Sequence, residues 1–265
     1  MTFIRAVLRR SVAAVTVVFG LVSPVLALET PSTSANPTKQ ADHFTRSQPG
    51  VREAYIVSFG LFGGESVFES EARGAAQILS DRLPNAQTVV SFNTKGGGAA
   101  TPQRLLAALK AAGAAMDPNE DVLVLALTSH GTPDGLAVMA GRRSSVISPR
   151  KLRTMLEASG ARYRIVIISA CYSGVFAPVL ANSSTLVITA AAADRPSFGC
   201  EDGATWTYFG DAFYNQALQR YRSLEVAFAE AKRLVTERER REGFEPSEPQ
   251  IAGGSLVLRL LTNGH

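Results

Sequence analysis

Two apolar segments of this chain end in the same way, and each leads directly to a reactive side chain. Residues 122–127 are followed by Thr-Ser-His130-Gly, and residues 164–168 are followed by Ser-Ala-Cys171-Tyr-Ser-Gly. A short, continuous apolar run is typical of a strand that is buried on both faces. If the two strands are parallel neighbours, His130 and Cys171 emerge at the same sheet edge, where open α/β sheets place their ligand crevices.

An imidazole beside a thiol is the pairing of a nucleophile with its base. The chain has three histidines, of which His43 lies in a stretch rich in Pro, Ser and Thr and His265 is the last residue. His130 is therefore the one candidate base in the patterned part of the chain. The residues predict acyl chemistry at a cysteine, and the alternative is a buried histidine that only satisfies a hydrogen bond.

The chain has two cysteines, Cys171 and Cys200. In an exported protein the simplest expectation for two cysteines is a structural disulfide. The position of Cys171 at a strand end, followed by Tyr-Ser-Gly, favours an exposed nucleophile instead. Both interpretations are open at this point.

The first residues predict export. Three arginines precede an almost entirely apolar or small stretch over residues 11–26, and Val-Leu-Ala27 offers the small residues that a signal peptidase reads. This pattern predicts a signal peptide over residues 1–27 and a secreted or periplasmic protein, with a signal anchor as the alternative. No later run is long and apolar enough to span a bilayer, so we expect no stable membrane span after cleavage.

Charge and composition limit the classes of partner. Three of the 27 Lys and Arg residues lie in the predicted leader, so the remainder has 24 basic against 23 acidic residues. A nearly neutral domain argues against nucleic acid as the main partner. Residues 28–50 hold many Pro, Ser and Thr residues and predict a flexible linker or short pro-segment, which leaves residues 51–265 as one domain.

Strand and helix patterns alternate through that domain, which predicts a mostly parallel α/β sheet with helices on both faces. Pro102 and Pro149 each follow a capping hydroxyl and mark helix starts. Lys95 precedes three glycines, which is the wrong order for a phosphate-binding loop, and no cofactor or metal is predicted. The pattern predicts strands at 53–59, 87–92, 122–127, 164–168, 185–190 and 255–261, with helices at 66–83, 101–116, 148–159, 204–219 and 224–241.

The order of these motifs resembles the legumain-type cysteine peptidases, a family that includes asparaginyl endopeptidases and the catalytic subunit of the GPI transamidase and shares a clan with the caspases. The resemblance rests on T-S-H-G and S-A-C-Y-S-G and continues through T-A-A at 189–191, S-F-G-C at 197–200 and Y-F-G-D-A-F at 208–213. It extends over roughly residues 53–261. It implies a caspase-like three-layer sandwich.

The resemblance also implies roles for individual residues. Cys171 is the nucleophile, His130 is general base and acid, and the backbone N–H groups of Gly131 and Cys171 hold the oxyanion. Asp211 and Ser197 match the specificity pocket.

Three positions differ from the family pattern. Ser169 stands where legumains commonly carry a pocket Glu, Ser129 replaces an acid before His130, and residues 63–70 offer Glu65 and Glu69 but no Arg. These differences leave the residue preference at the cleavage site open between Asn, Asp and a basic residue. An acidic pocket without that Arg could accept Lys or Arg instead of Asn, on charge complementarity.

Three functions follow from these observations. The first is a secreted cysteine endopeptidase that acts on a peptide or protein substrate. The second is a transpeptidase that passes the same acyl-enzyme to an amine, and the third is an inactive pseudo-peptidase that binds partners. The intact pair of His130 and Cys171 disfavours the third, and water access to the acyl-enzyme separates the first two. The sequence does not determine the oligomeric state.

Overall fold

The computed structural model describes residues 43–262. The predicted signal peptide and most of the predicted linker lie outside the described residues. The last part of that linker packs on the domain: the ring of Phe44 lies 5.4 Å from that of Tyr55, and the Thr45 N–H donates to Gln87 Oε1 at 2.7 Å. Ordered contacts of the domain therefore begin before residue 51.

A seven-stranded sheet forms the centre of the molecule, and a three-stranded antiparallel sheet lies beside it. In chain order the strands are β1 (Ala54–Gly60), β2 (Gln87–Thr94), β3 (Gly97–Gly98), β4 (Val122–Thr128), β5 (Gly131–Thr132), β6 (Gly135–Ala140), β7 (Arg143–Ile147), β8 (Tyr163–Ser169), β9 (Thr185–Thr189) and β10 (Gln250–Gly253). The large sheet has the order β10-β9-β8-β4-β1-β2-β3, and the small one is β5-β6-β7. The pairs β2–β1, β1–β4, β4–β8 and β8–β9 are parallel, and the two edge strands are antiparallel.

Helices cover both faces of the large sheet. They are α1 (Val67–Arg82), α2 (Pro102–Ala115), α3 (Pro149–Ser159), α4 (Ala177–Leu180), α5 (Tyr208–Gly210), α6 (Leu218–Arg220), α7 (Leu224–Glu242) and α8 (Ser255–Thr262), with a 3₁₀ turn at Ser173–Phe176 and a π-helical turn at Asp211–Ala217. Strand residues alternate between two cores, since successive side chains of a strand point to opposite faces. Tyr55 and Val57 join the core under α2 and α3, whereas Ala54 and Ile56 join the core under α1 and α7. The predicted α/β class, with a mostly parallel sheet between helical layers, is confirmed.

Two helix starts follow the predicted capping chemistry. Thr101 Oγ1 accepts a hydrogen bond from the N–H of Arg104 at 3.2 Å, and Ser148 Oγ accepts one from the N–H of Lys151 at 3.3 Å. Each hydroxyl satisfies a donor that the first helical turn leaves without a partner. These caps fix the starts of α2 and α3.

The last predicted strand, at residues 255–261, is wrong. This segment forms α8, and the edge strand β10 lies immediately before it. Gly253 and Gly254 both have a positive φ, of 73° and 77°, which separates the two elements. The segment is short and rich in branched residues, so its pattern also fits a strand. Val257 is its one fully buried side chain, which fits a helix that packs through a single stripe of its surface.

Three smaller features also differ from the sequence prediction. Residues 131–147 form the small antiparallel sheet, which the sequence pattern did not indicate. The glycines after Lys95 form the short strand β3 against β2 instead of an unpaired loop. The helix predicted from residue 204 begins at Tyr208, because Thr207 Oγ1 accepts from the N–H of Gly210 at 2.9 Å and caps it there.

Candidate active site

The parallel pairing of β4 with β8 brings His130 and Cys171 to equivalent positions. Thr128 pairs with Ser169 at the ends of the two strands, and each candidate residue follows two positions later. The pairing continues past the strands, since the N–H of Ser129 donates to the carbonyl of Ser169 at 3.1 Å. Both residues therefore leave the carboxyl edge of the sheet side by side, as the sequence predicted.

Aromatic packing fixes the orientation of the His130 ring. The rings of Phe62 and Phe68 meet it edge-on, with centroids 4.7 and 5.0 Å from that of the imidazole. The backbone is also fixed, because the His130 carbonyl accepts from the N–H of Ala137 in β6 at 3.0 Å. The small sheet, which the sequence pattern did not reveal, thus supports the candidate base from one side.

A carboxylate lies against the histidine. Nε2 of His130 is 3.1 Å from Oε2 of Glu65, and about a third of each side chain is exposed. The sequence pattern places Glu65 only in the segment that lacks the family's pocket Arg and does not indicate its contact with His130. The feature from which this contact could have been predicted is the position of Glu65 in the loop after β1. Strand β1 is the parallel neighbour of β4 and ends at the same sheet edge.

The thiol of Cys171 is held by one residue of the loop that follows β9. The N–H of Ser197 donates to Cys171 Sγ at 3.2 Å, and the thiol lies 3.3 Å from the Ser197 carbonyl oxygen. Ser197 Oγ is 3.8 Å from the sulfur. The structure therefore brings Ser197 to the candidate nucleophile, and its backbone makes the shorter contacts.

The turn after Cys171 has an unusual backbone. Tyr172 has a φ of 54°, a left-handed conformation that is costly for a residue with a side chain and that occurs often at functional sites. The N–H of Tyr172 donates to the carbonyl of Arg195 at 2.8 Å, and its own carbonyl accepts from Val175. These hydrogen bonds hold the turn in the conformation that carries Cys171 from the strand into the 3₁₀ turn.

Gly131 lies directly against the backbone of Cys171. A Cβ at residue 131 would overlap the carbonyl oxygen of Cys171, so the close approach of the two chains requires glycine here. This packing brings together the two residues that the family resemblance assigned to the oxyanion site. That assignment stays a prediction.

A buried carboxyl lies beneath the site. Glu71 in α1 is fully buried, and its Oε2 accepts from the N–H of Thr207 at 2.8 Å. Burial raises the pKa of Glu71, and the nearby polar groups of Ser169, Thr207 and Thr128 oppose this shift. A side chain on Gly210 would overlap this carboxyl. Glu71 therefore links the ends of β4 and β8 to the start of α5.

Ser169 belongs to this buried layer. It is 2 % exposed, and its hydroxyl lies 2.9 Å from Thr207 Oγ1. Its role in substrate binding stays a prediction, and the side chain that its hydroxyl meets in the structure is that of Thr207.

Asp211 lies at the start of the π-helical turn, where its carboxylate accepts from Asn215 and Gln216, both at 2.8 Å. It lines a cavity of about 310 Å³ together with Tyr208 and Arg238. None of the hydrogen bonds described for Cys171 involves Asp211. Its assignment to the specificity pocket stays a prediction.

The two cysteines are both free thiols in the structure. Burial raises the pKa of Cys200 to about 12, and the proximity of Cys171 and of nearby carboxylates adds to this shift. A thiol with so high a pKa is a poor nucleophile at neutral pH, since the thiolate is the reactive form. Cys171 is therefore the candidate nucleophile of the two.

A second cavity of about 420 Å³ adjoins His130 through Glu65. Glu69 and Asp202 add two carboxylates to its lining, and Lys95 pairs with Asp202 at 2.6 Å. The hydrogen bond from Lys95 lowers the pKa of Asp202 to about 2. Within residues 43–262, no three His, Cys, Asp or Glu side chains are grouped so that they could hold a metal ion.

Comparison with known proteins gives a family for the chain and a relative for its fold. The model of the peptidase C13 family matches residues 101–256. Among solved structures, the chain is similar to caspase-1 from Spodoptera frugiperda, at 14% sequence identity and a TM-score of 0.53, over 80% of this chain and 87% of the caspase chain. No curated protein matches this chain. In the part of the chain that the structure describes, no helix has both the length and the apolar character needed to cross a bilayer.

The match extends over more than half of the chain, and the chain belongs to the peptidase C13 family, the legumain family of the caspase clan. Its fold is caspase-like, as the resemblance predicted. Family and fold together support a cysteine peptidase, which acts on protein or peptide substrates.

Proposed function

We propose that this chain is a secreted cysteine endopeptidase in which the Cys171 thiolate attacks the scissile carbonyl and His130 moves the protons. The observation that carries the proposal is the pairing of Thr128 with Ser169, which sets His130 and Cys171 two residues beyond adjacent strand ends. Family membership supplies the reaction class, and this pairing supplies the residues that would perform it.

The reaction begins with proton transfer from the Cys171 thiol to His130. The thiolate then adds to the carbonyl carbon, and the oxygen takes up the negative charge. Backbone N–H groups of Gly131 and Cys171 would bind that oxygen, and their mutual packing would preorganise them before substrate arrives.

The tetrahedral intermediate collapses when the carbon–nitrogen bond breaks. His130 gives its proton to the departing amine, and an acyl-enzyme thioester remains on Cys171. A water molecule then gives a proton to His130 and attacks the thioester. The carboxylic acid product leaves, and the sulfur of Cys171 takes the proton back from His130, which regenerates the thiol. If an amine takes the place of this water, the same intermediate yields a new amide, which is the transpeptidase alternative.

Glu65 supports this cycle by holding His130. Its carboxylate lies 3.1 Å from Nε2, which leaves the other ring nitrogen to exchange protons with Cys171 and with the substrate. A carboxylate in this position stabilises the imidazolium that forms when the thiol ionises. Glu65 is a positioning residue, because it acts through His130.

Digestion of a peptide library, read by mass spectrometry, tests the proposal. The wild-type protein, produced without residues 1–27, should cleave internal peptide bonds, and Cys171→Ala and His130→Ala should not. Cys200→Ser is the matched control and should retain cleavage. Cleavage that persists in Cys171→Ala would contradict the proposal, and ligated products in the presence of an added amine would favour the transpeptidase.

Export is the second part of the proposal. It is supported by the basic start of the chain and the apolar run that follows, which ends at Ala27. N-terminal sequencing of the protein from its native host should begin near Leu28. A protein that still begins at Met1 and sediments with membranes would show that the run is an anchor.

A further inference from the structure

The outer edge of strand β7 is free. Strand β7 is the last strand of the small sheet, and within residues 43–262 it pairs with β6 on its inner side and with no strand on its outer side. Its first four residues, 143–146, are exposed, and Ile147 is buried. An unpaired strand edge presents a row of backbone donors and acceptors, with which another extended chain can pair.

Two residues of β7 direct their backbone groups to this free edge. The N–H of Ala137 in β6 donates to the His130 carbonyl, so the backbone groups of Ala137 face β5 and not β7. Ala137 is the partner of Val146 in the β6–β7 register, and this pair is therefore one without hydrogen bonds between the two strands. Since such pairs alternate along an antiparallel ladder, the N–H and C=O groups of Ser144 and Val146 both point away from β6.

The same segment concentrates positive charge. Residues 135–156 contain five basic and no acidic residues. Arg153 pairs with Glu157 at 2.7 Å. Two of the other four lie at the turn that opens β7 and two lie in the first turn of α3, so basic side chains flank both ends of the free edge. All four are exposed, and within residues 43–262 none of them pairs with a carboxylate: Arg142, Arg143, Arg150 and Lys151.

The β6–β7 hairpin is anchored to the large sheet. The N–H of Met139 donates to the Leu61 carbonyl at 2.9 Å, and the Met139 carbonyl accepts from the N–H of Gly63 at 2.9 Å. Neighbouring strands lie about 4.8 Å apart, so β7 is roughly 10 Å from β5, which begins one residue after His130. A chain paired with β7 is one strand spacing farther out, which separates this edge from the thiol of Cys171.

We propose that β7 is a docking strand for an acidic, extended segment of a partner protein, which adds to the small sheet as its fourth strand. The outward backbone groups of Ser144 and Val146 form the hydrogen bonds, and the unpaired basic side chains select carboxylates. The side chain of Val146 is 46% exposed and offers an apolar contact to the added strand. This inference is independent of the proposed function.

The charge and the strand edge together decide between possible occupants. A second copy of this chain is disfavoured, because pairing of two β7 edges would bring two sets of unpaired cations together. A nucleic acid or an anionic lipid surface would use the charge and leave the backbone edge unpaired. An acidic polypeptide in extended conformation uses both features.

A designed peptide tests the docking strand. The probe is a fluorescent twelve-residue peptide in which Glu alternates with Val, and fluorescence anisotropy gives its affinity for Cys171→Ala, which prevents cleavage of the probe. In that background Ser144→Pro removes one outward N–H, and proline is tolerated on an edge strand whose N–H faces solvent. We expect binding to weaken by about tenfold. Ser144→Ala keeps the N–H and, as the matched control, should stay within about twofold of the parent protein.

A second pair of variants tests the charge. Arg142→Glu with Arg143→Glu should weaken binding of the probe by more than about tenfold. The matched control is Arg240→Glu with Arg241→Glu, which changes the net charge equally at two consecutive exposed arginines near the end of α7. This control should leave the affinity unchanged, and all variants should keep the thermal unfolding midpoint of the parent protein.

Three results would overturn the docking strand. Equal affinity of Ser144→Pro and Ser144→Ala for the probe would show that the edge forms no hydrogen bonds to it. Tighter binding of phosphatidylglycerol vesicles or single-stranded DNA than of the probe, with no effect of Ser144→Pro, would assign the charge to another polyanion. A dimer of the parent protein in analytical ultracentrifugation that Ser144→Pro dissociates would assign the edge to a second copy of the chain.

Discussion

Replacement of Glu65 by Ala removes a carboxylate that contacts the candidate base. The contact is one 3.1 Å pair between Glu65 Oε2 and His130 Nε2. A hydrogen bond to a charged group contributes about 1.5–3 kcal/mol. The two side chains are 30% and 37% exposed, so water screens the interaction and about 1–2 kcal/mol is the appropriate range. We expect Glu65→Ala to lower kcat/KM by roughly 5- to 30-fold, with KM little changed.

Glu69 supplies the matched control for this experiment. It lines the same cavity as Glu65 and pairs with Arg73 at 3.1 Å, away from the imidazole. Glu69→Ala therefore removes the same charge from the same surface and should keep kcat near the wild-type value. The assay is steady-state cleavage of the best library peptide, with iodoacetamide labelling of Cys171 as a second readout. If Glu65→Ala and Glu69→Ala have the same kcat, the positioning role of Glu65 is refuted.

Three further predictions concern the thiols, the buried carboxyl and the pocket. Iodoacetamide at neutral pH should modify Cys171 before Cys200, whose pKa burial raises to about 12, and an intact mass that reveals a disulfide between them would contradict this. Gly210→Ala should lower the free energy of unfolding in urea by about 1–3 kcal/mol, because its Cβ would overlap the carboxyl of Glu71, and wild-type stability would show that the buried layer relaxes freely. Asp211→Ala should lower kcat/KM on the best peptide without changing the alkylation rate, if the pocket assignment from the family resemblance holds, and unchanged kinetics would remove Asp211 from the pocket.

The order of strands and helices was predictable because each buried strand is a continuous apolar run with clear ends. The placement of His130 and Cys171 at one edge followed from two such runs that are parallel neighbours in the sheet. The caps at Thr101 and Ser148 were predictable because a Ser or Thr followed by Pro is a local signal for a helix start. The hydroxyl caps the first turn, and proline suits the first helical position. The prediction of a strand at residues 255–261 was wrong, because seven residues with several leucines fit both a strand and a helix that packs through one stripe.

The parts of the site that were missed depend on contacts between distant segments. Glu65 meets His130 across 65 positions of the chain, and Glu71 meets Thr207 across 136. Local patterns determine which residues form an element and what ends it, whereas such pairs depend on how the elements pack.

The central claim is that Cys171 carries the acyl group during cleavage, and trapping of the acyl-enzyme tests it most directly. The wild-type protein is mixed with its best peptide, quenched in acid within one turnover, and fragmented for mass spectrometry. The mass of the acyl half of the peptide should be added to Cys171 as a thioester, and His130→Ala should show no such addition. An acyl group found on Cys200 or Ser197, or cleavage with no acyl group on the protein at any time, would contradict it.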